Sequence, residues 1–97
     1  RPTDWRAKIV AKIEIYTSPF CGFCFRAKEL LHAKGVDFEE IDVFSVAGAR
    51  EQMMERSAGK TTVPQVFADD AYVGDCDGIH MLDAQGELDA KLGMTVA

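Results

Sequence analysis

The chain has 97 residues, of which 47% are hydrophobic and 28% are charged, and its formal net charge is −5. This length fits a single domain that can bury a core without disulfides or metals. The sequence has no apolar run near the roughly 20 residues of a membrane span, and its acidic balance with scattered basic residues argues against nucleic-acid binding. We expect one domain over residues 1–97, in which residues 1–8 are disordered or added to the natural sequence.

The first half of the chain predicts two strands and two helices. Residues 12–17 alternate apolar and polar side chains, which is typical of a strand, and this run extends back to residues 9–10. From Cys24 the apolar residues follow helical spacing until Gly35, which predicts a helix. A second strand over 36–43 and a second helix over 45–57 follow. The two strands flank a helix, so we expect them to be parallel with a right-handed crossover.

The second half predicts a hairpin and further helices. Residues 61–68 and 71–73 have strand character and are separated by Asp69-Asp70, which indicates a turn. Gly74 precedes a helix over 77–84, and Gly86 separates that helix from a last helical stretch over 88–92. The predicted order is therefore β-α-β-α-β-β-α.

A Cys-Gly-Phe-Cys motif stands between the first strand and the first helix. The first turn of a helix has unpaired backbone N–H groups and the positive end of the dipole, and both favour a thiolate. Cys21 is therefore the predicted nucleophile. Cys24 lies one turn further, where it can attack a mixed disulfide on Cys21, so we interpret it as the resolving thiol.

Two other interpretations of the cysteine pair remain open. Half of a zinc site would need two further ligands, and Cys76, His32 and His80 do not form a second ligand pair. A structural disulfide would leave one cysteine over. One redox-type pair in a chain with few cysteines suits a reducing compartment, so we expect a cytoplasmic protein, and the sequence leaves open a targeting peptide upstream of residue 1.

The motifs together resemble the glutaredoxin family of the thioredoxin superfamily, from about residue 13 to residue 92. The strings that carry the resemblance are Ile15-Tyr16-Thr17, Cys24-Phe25-Arg26-Ala27-Lys28, Thr62-Val63-Pro64-Gln65-Val66-Phe67 and Val73-Gly74-Asp75-Cys76-Asp77. The resemblance implies a thioredoxin fold, which is an α/β fold with a four-stranded mixed sheet flanked by helices. It also implies that Pro64 follows a cis peptide bond beside the cysteines.

The same resemblance implies a glutathione site. Backbone groups of Val63 would pair with the bound thiol peptide, and the backbone N–H groups of Cys76 and Asp77 would hold its γ-glutamyl carboxylate. The Asp77 carboxylate would take the ammonium group, although Asp is also common at a helix start for structural reasons. The predicted glutathione-binding residues are Thr62, Val63, Pro64, Cys76, Asp77 and Lys60.

Several residues depart from the family pattern. Ser18 stands where many members have Lys, so Arg26, Tyr16 or Lys60 are candidates to support the thiolate. Asp75 stands where Gly is usual and Gly78 where an acid is common. We expect the Cβ and charge of Asp75 to restrict the turn and weaken binding of an anionic ligand.

Gly22 makes the motif similar to the Cys-Gly-Phe-Ser group of monothiol glutaredoxins, which bind a [2Fe–2S] cluster between two chains. The resemblance therefore implies two functions. The first is reduction of glutathionylated and disulfide-containing proteins by a monomer with glutathione as co-substrate. The alternative is a glutathione-ligated [2Fe–2S] dimer, in which Cys21 would be a metal ligand, that stores or transfers clusters.

Overall fold

The computed structural model describes residues 11–94, which form a four-stranded mixed sheet with helices on both faces. The predictions for residues 1–8 and 9–10 fall outside the described residues. The elements are β1 Ile13–Thr17, α1 Gly22–Ala33, β2 Phe38–Asp42, α2 Ala49–Arg56, β3 Gln65–Ala68, β4 Ala71–Gly74, α3 Cys76–Ala84 and α4 Leu88–Lys91. Within 11–94, no helix has the length and apolar character needed to cross a membrane. The predicted β-α-β-α-β-β-α order is confirmed, and the predicted last helical stretch forms α4.

The sheet topology brings three chain segments to one edge. The strand order is β2-β1-β3-β4, in which β1 and β2 are parallel and the other pairs are antiparallel. Thr17 at the end of β1 is level with Asp42 at the end of β2, and Tyr16 is level with Gln65 at the start of β3. The cysteine motif after β1 and Pro64 before β3 therefore leave the sheet at the same edge.

The alternation of side chains along β1 divides the core into two parts. Ile13 and Ile15 pack on one face with α1 and α3, where Leu31 and Ile79 are fully buried. Tyr16 points to the other face and packs with residues of α2 and β3, including Met53 and Phe67. The two faces have different chemistry, because a polar network accompanies the α2 side.

Two elements begin four residues later than the sequence predicts. The second helix starts at Ala49 instead of residue 45, because Gly48 has a left-handed φ of 78° that ends the preceding turn. The third strand starts at Gln65 instead of residue 61, because Pro64 has no N–H to donate to a ladder. The Val63–Pro64 bond is cis, as the family resemblance implies.

Arg56 at the end of α2 is the centre of the polar network on the α2 side. Its guanidinium donates hydrogen bonds to Tyr16 Oη at 2.8 Å, to Glu14 at 2.8 Å and to Asp70 at 3.1 Å. It also lies over the ring of Phe67, 4.2 Å from the ring centre. Arg56 and Glu14 are largely buried, so each needs the other as a partner.

We predict that Arg56→Met lowers the free energy of unfolding by about 1–3 kcal/mol, because Glu14 and the Tyr16 hydroxyl lose a buried partner. Urea unfolding measures this change. The matched control is Lys28→Met, which breaks the more exposed ion pair with Glu40 and should cost about 0–1 kcal/mol. Equal losses for the two variants would contradict a structural role for the Arg56 network.

Candidate active site

Cys21 forms the junction between the active-site loop and α1. Phe20 has a left-handed φ of 58°, and Cys21 returns to extended backbone as the N-cap residue of α1. The backbone N–H of Cys24 donates a hydrogen bond to Cys21 Sγ over 3.2 Å. Cys21 is partly exposed, so its sulfur is held by the helix start and is open to a substrate.

Cys24 is a protected thiol one turn into the helix. It is 2% exposed, and like Cys21 it is a free thiol. Burial raises the pKa of Cys24 to about 12, with further increases from its hydrogen bond to Cys21 and from the charge of Cys21. The Ser18 backbone and the Lys28 cation act in the opposite direction. Cys24 is therefore a neutral thiol near pH 7 while Cys21 is free.

Lys28 and Glu40 form an ion pair beside the cysteines that sequence reasoning missed. Lys28 Nζ lies 3.0 Å from Glu40 Oε2, and the buried Thr17 donates its hydroxyl to the same oxygen at 2.8 Å. Burial opposes the ionisation of Glu40, but the hydrogen bonds from Thr17 and Lys28 outweigh it and hold the pKa of Glu40 below its usual value. The available signal was the position of Lys28, four residues after Cys24 on the same helix face.

A cavity of about 290 Å³, which we call the Pro64 cavity, lies next to the cysteine motif. It is lined by Phe23, Thr62, Val63, Pro64, Asp75, Cys76 and Asp77. The buried Gln65 fixes one wall, because its Nε2 donates to the Thr62 carbonyl at 2.9 Å. Five predicted glutathione-binding residues thus share one cavity, and Lys60 is not among the residues that line it. Their roles in binding stay predictions.

The N-terminus of α3 faces the Pro64 cavity, and its N-cap residue is Asp75. The Asp75 carboxylate accepts a hydrogen bond from the backbone N–H of Gly78 at 2.8 Å. Asp75 has a φ of −88°, which any residue adopts, so its Cβ causes no backbone strain, and the expected restriction of the turn stays a prediction. A Cβ at position 78 would lie 3.1 Å from Asp75 Oδ1. The glycine at position 78 therefore leaves room for the Asp75 carboxylate that caps α3, so these two departures from the family pattern are compatible.

Cys76 is more buried than its neighbours in the same turn. It is 3% exposed, and burial raises the pKa of its thiol, while the charge of Arg26 acts in the opposite direction. His80 Nδ1 lies 2.8 Å from the Cys76 carbonyl oxygen and 3.7 Å from its sulfur. The group on which the charge of Arg26 acts here is therefore the Cys76 thiol at the start of α3.

The Tyr16 hydroxyl forms its hydrogen bonds with α2, so the expected support of the thiolate by Tyr16 stays a prediction. Strand alternation turns its side chain to the α2 face, where its hydroxyl donates to Gln52 and accepts from Arg56. Lys60 lies in the exposed turn after α2, where its backbone N–H donates to Ser57 Oγ at 3.1 Å. Neither residue contributes to the cavities at the cysteines.

A second, larger cavity of about 610 Å³ lies on the β2 side of the cysteines, and we call it the Phe20 cavity. Both Cys21 and Cys24 line it, together with Lys28 and Glu40. The remaining lining residues are Thr17, Ser18, Pro19, Phe20, Gly22, Phe25 and Asp42. The cysteine pair is therefore bordered by two cavities of different chemistry.

Comparison with known proteins agrees with this geometry. The family model described as Glutaredoxin matches residues 13–73. Glutaredoxin 3 of Escherichia coli strain K12 is 49% identical over 83 residues, which are 86% of this chain and 99% of that protein. The solution structure of glutaredoxin from Brucella melitensis is 40% identical with a TM-score of 0.72 and covers 90% of this chain and 96% of that chain.

A further structure, described as "Metal Binding of Glutaredoxins", is 42% identical with a TM-score of 0.64 and covers 86% of this chain and 89% of that chain. The family model matches more than half of the chain, and the matched residues include the Cys21–Cys24 pair at the start of α1. The chain therefore belongs to the glutaredoxin family and is a thiol–disulfide oxidoreductase.

Proposed function

We propose that the protein reduces mixed disulfides between glutathione and proteins, and also protein disulfides, with glutathione as co-substrate. The observation that carries this proposal is the position of the Pro64 cavity. It is bounded by Phe23 of the cysteine motif, the Val63–Pro64 segment and the start of α3. A ligand in this cavity would have its thiol beside the motif and its charged end at a helix N-terminus.

The chemistry of this cavity suits the charge pattern of glutathione. The first N–H groups of α3, at Cys76 and Asp77, have no intrahelical partners and favour an anion such as the γ-glutamyl carboxylate. The Asp77 carboxylate would bind the adjacent ammonium group. The backbone of Val63, which precedes the cis bond, would pair with the extended peptide.

The first exchange step takes place at Cys21. Its thiolate attacks the glutathione sulfur of a glutathionylated protein, so that a bond between Cys21 and glutathione forms while the bond to the protein sulfur breaks. The protein thiolate leaves with the electron pair and takes a proton from solvent. A second glutathione, as thiolate, then attacks this intermediate, which frees Cys21 and yields oxidised glutathione.

Cys24 provides the second route when the substrate is a protein disulfide. It attacks Cys21 Sγ of the mixed disulfide, forms the Cys21–Cys24 bond and releases the substrate thiolate, while its own proton passes to solvent. Burial, the largest cause of the raised pKa of Cys24, persists when Cys21 is bonded to a substrate, but the negative charge of Cys21, a smaller cause, is then removed. The Lys28 cation then favours the Cys24 thiolate at the step that needs it.

We predict that Cys24→Ser keeps reduction of a small glutathione mixed disulfide and loses reduction of a protein disulfide, because only the second route needs the resolving thiol. Cys21→Ser should lose both, since a hydroxyl is a poor nucleophile near neutral pH. Steady-state assays with the two substrates measure this split. Cys76→Ser changes the third thiol but keeps the backbone N–H assigned to glutathione, so its effect on both activities should be mild. Loss of both activities in Cys24→Ser would contradict the assigned roles.

We predict that Asp77→Ala raises KM for a glutathione mixed disulfide roughly tenfold with little change in kcat, because one charge-assisted hydrogen bond of about 1.5 kcal/mol is lost. Asp37→Ala removes the same charge from an exposed position before β2 and serves as the control. An unchanged KM in Asp77→Ala would argue for a disulfide reductase that does not recognise glutathione at this site.

A second candidate function is binding of a glutathione-ligated [2Fe–2S] cluster by a dimer. It is supported by the partly exposed Cys21 and by the description of the 42% identical glutaredoxin structure. Within residues 11–94, no group of three or more His, Cys, Asp and Glu side chains is placed to hold a metal ion. A cluster takes four thiolates, so Cys21 of two chains and two glutathione thiols would complete the ligand set. The bound cluster would supply one-electron redox chemistry or an iron–sulfur unit for transfer.

Anaerobic purification in the presence of glutathione separates the two candidates. If exchange is the main function, we expect a colourless monomer that reduces a glutathione mixed disulfide. A brown dimer with little exchange activity until the cluster is lost would instead favour the cluster function. The visible spectrum, the sedimentation coefficient and the activity should be recorded on the same sample.

A further inference from the structure

The Phe20 cavity is the part of the site that the proposed glutathione site does not use. Its volume of about 610 Å³ is roughly twice that of the Pro64 cavity, and Cys21 itself lines it. A protein bonded through sulfur to Cys21, or to glutathione held beside Cys21, has its neighbouring residues within reach of this cavity. The cavity therefore opens directly beside Cys21, where the substrate disulfide would react.

Two exposed phenylalanines line this cavity, and a third, Phe44, follows the lining residue Asp42 by two positions in the chain. Phe20 is fully exposed, Phe25 is 59% exposed and both line the cavity. Phe44, which is 73% exposed, lies two residues after the lining residue Asp42, and the neighbouring Val43 N–H donates to the Thr17 carbonyl at 2.9 Å. Aromatic groups grouped beside a nucleophile indicate a surface that is covered during function, because their burial is favourable.

The charge of the cavity lining indicates the charge of the partner segment that binds there. Lys28 contributes one positive charge and Glu40 and Asp42 contribute two negative charges, so the lining side chains have a formal charge of −1. The whole chain carries −5. A basic segment is therefore attracted to this face, and an acidic segment is repelled.

We propose that the Phe20 cavity binds the protein half of the substrate, through an apolar side chain next to the substrate cysteine and a lysine or arginine nearby. The inference rests on the proposed function, because it assumes that the Cys21 thiolate attacks the substrate disulfide. Glutathione and the protein then occupy the two sides of the cysteine motif. Selection among glutathionylated proteins comes from the β2 side, while glutathione recognition comes from the α3 side.

Four synthetic peptides glutathionylated on their single cysteine test the proposal. They carry Phe or Ser next to the cysteine and Lys or Glu one residue further, and kcat/KM is measured for release of the peptide thiol. We expect the Phe/Lys peptide to exceed the Ser/Glu peptide by roughly tenfold or more, mainly through KM. Phe25→Gln and Phe44→Gln should each reduce this preference at least threefold, and Met81→Gln, which changes an exposed apolar residue on α3, should not.

The small mixed disulfide of glutathione and 2-mercaptoethanol separates this inference from the proposed function. Equal rates for all four peptides, with normal reduction of the small disulfide, would overturn the inference and leave the proposed function intact. Loss of activity toward the small disulfide in Phe25→Gln would also overturn it, because the residue would then act through the cysteines. A wild-type dimer at assay concentration that Phe25→Gln converts to a monomer would assign the surface to a second copy instead.

Discussion

The hydrogen bond from the backbone N–H of Cys24 to Cys21 Sγ is the contact on which the site depends. N-cap positions usually hold Ser, Thr, Asp or Asn, whose oxygen accepts this bond. Here a reactive sulfur takes that structural role, so the position of the nucleophile is set by the start of α1. The same bond relates the two thiols, because the residue that donates it carries the buried second sulfur. A change in the bonding of Cys21 therefore changes the surroundings that set the pKa of Cys24.

The alternation of β1 explains why this chemistry is separate from the polar network of the protein. Ile15 faces α1 and α3, and the next residue, Tyr16, faces α2. The Arg56 network consequently stabilises the α2 face of the sheet, whereas the two thiols are positioned by the start of α1. Besides Cys21, the groups that act on the pKa of Cys24 are Lys28 on its own helix and the Ser18 backbone in the loop before it.

Local patterns in the sequence predicted the elements and the reacting thiols, because both depend on short-range spacing. Helical periodicity located α1, and the motif at its start placed Cys21 at the first turn, where the structure shows it as the N-cap residue. The boundaries at Ala49 and Gln65 were missed because they depend on the conformation of Gly48 and on a proline that cannot pair. The Lys28–Glu40 pair was missed because it joins residues 12 positions apart, and no local pattern contains that contact. Resemblance to the family, not spacing, grouped Thr62 to Pro64 with Cys76 and Asp77.

Under the proposed function, Asp75 is a departure from the family pattern that affects recognition while the fold is kept. Its carboxylate occupies the N–H of Gly78, so that group is already satisfied, and an incoming anion is left with the N–H groups of Cys76 and Asp77. The two carboxylates of this turn also oppose a ligand that carries only negative charge. A γ-glutamyl group is less affected, because its ammonium lies next to its carboxylate and can meet Asp77. Under the proposed function, the acidic turn therefore disfavours simple anions more than it disfavours glutathione, and it makes the ammonium group a larger part of recognition.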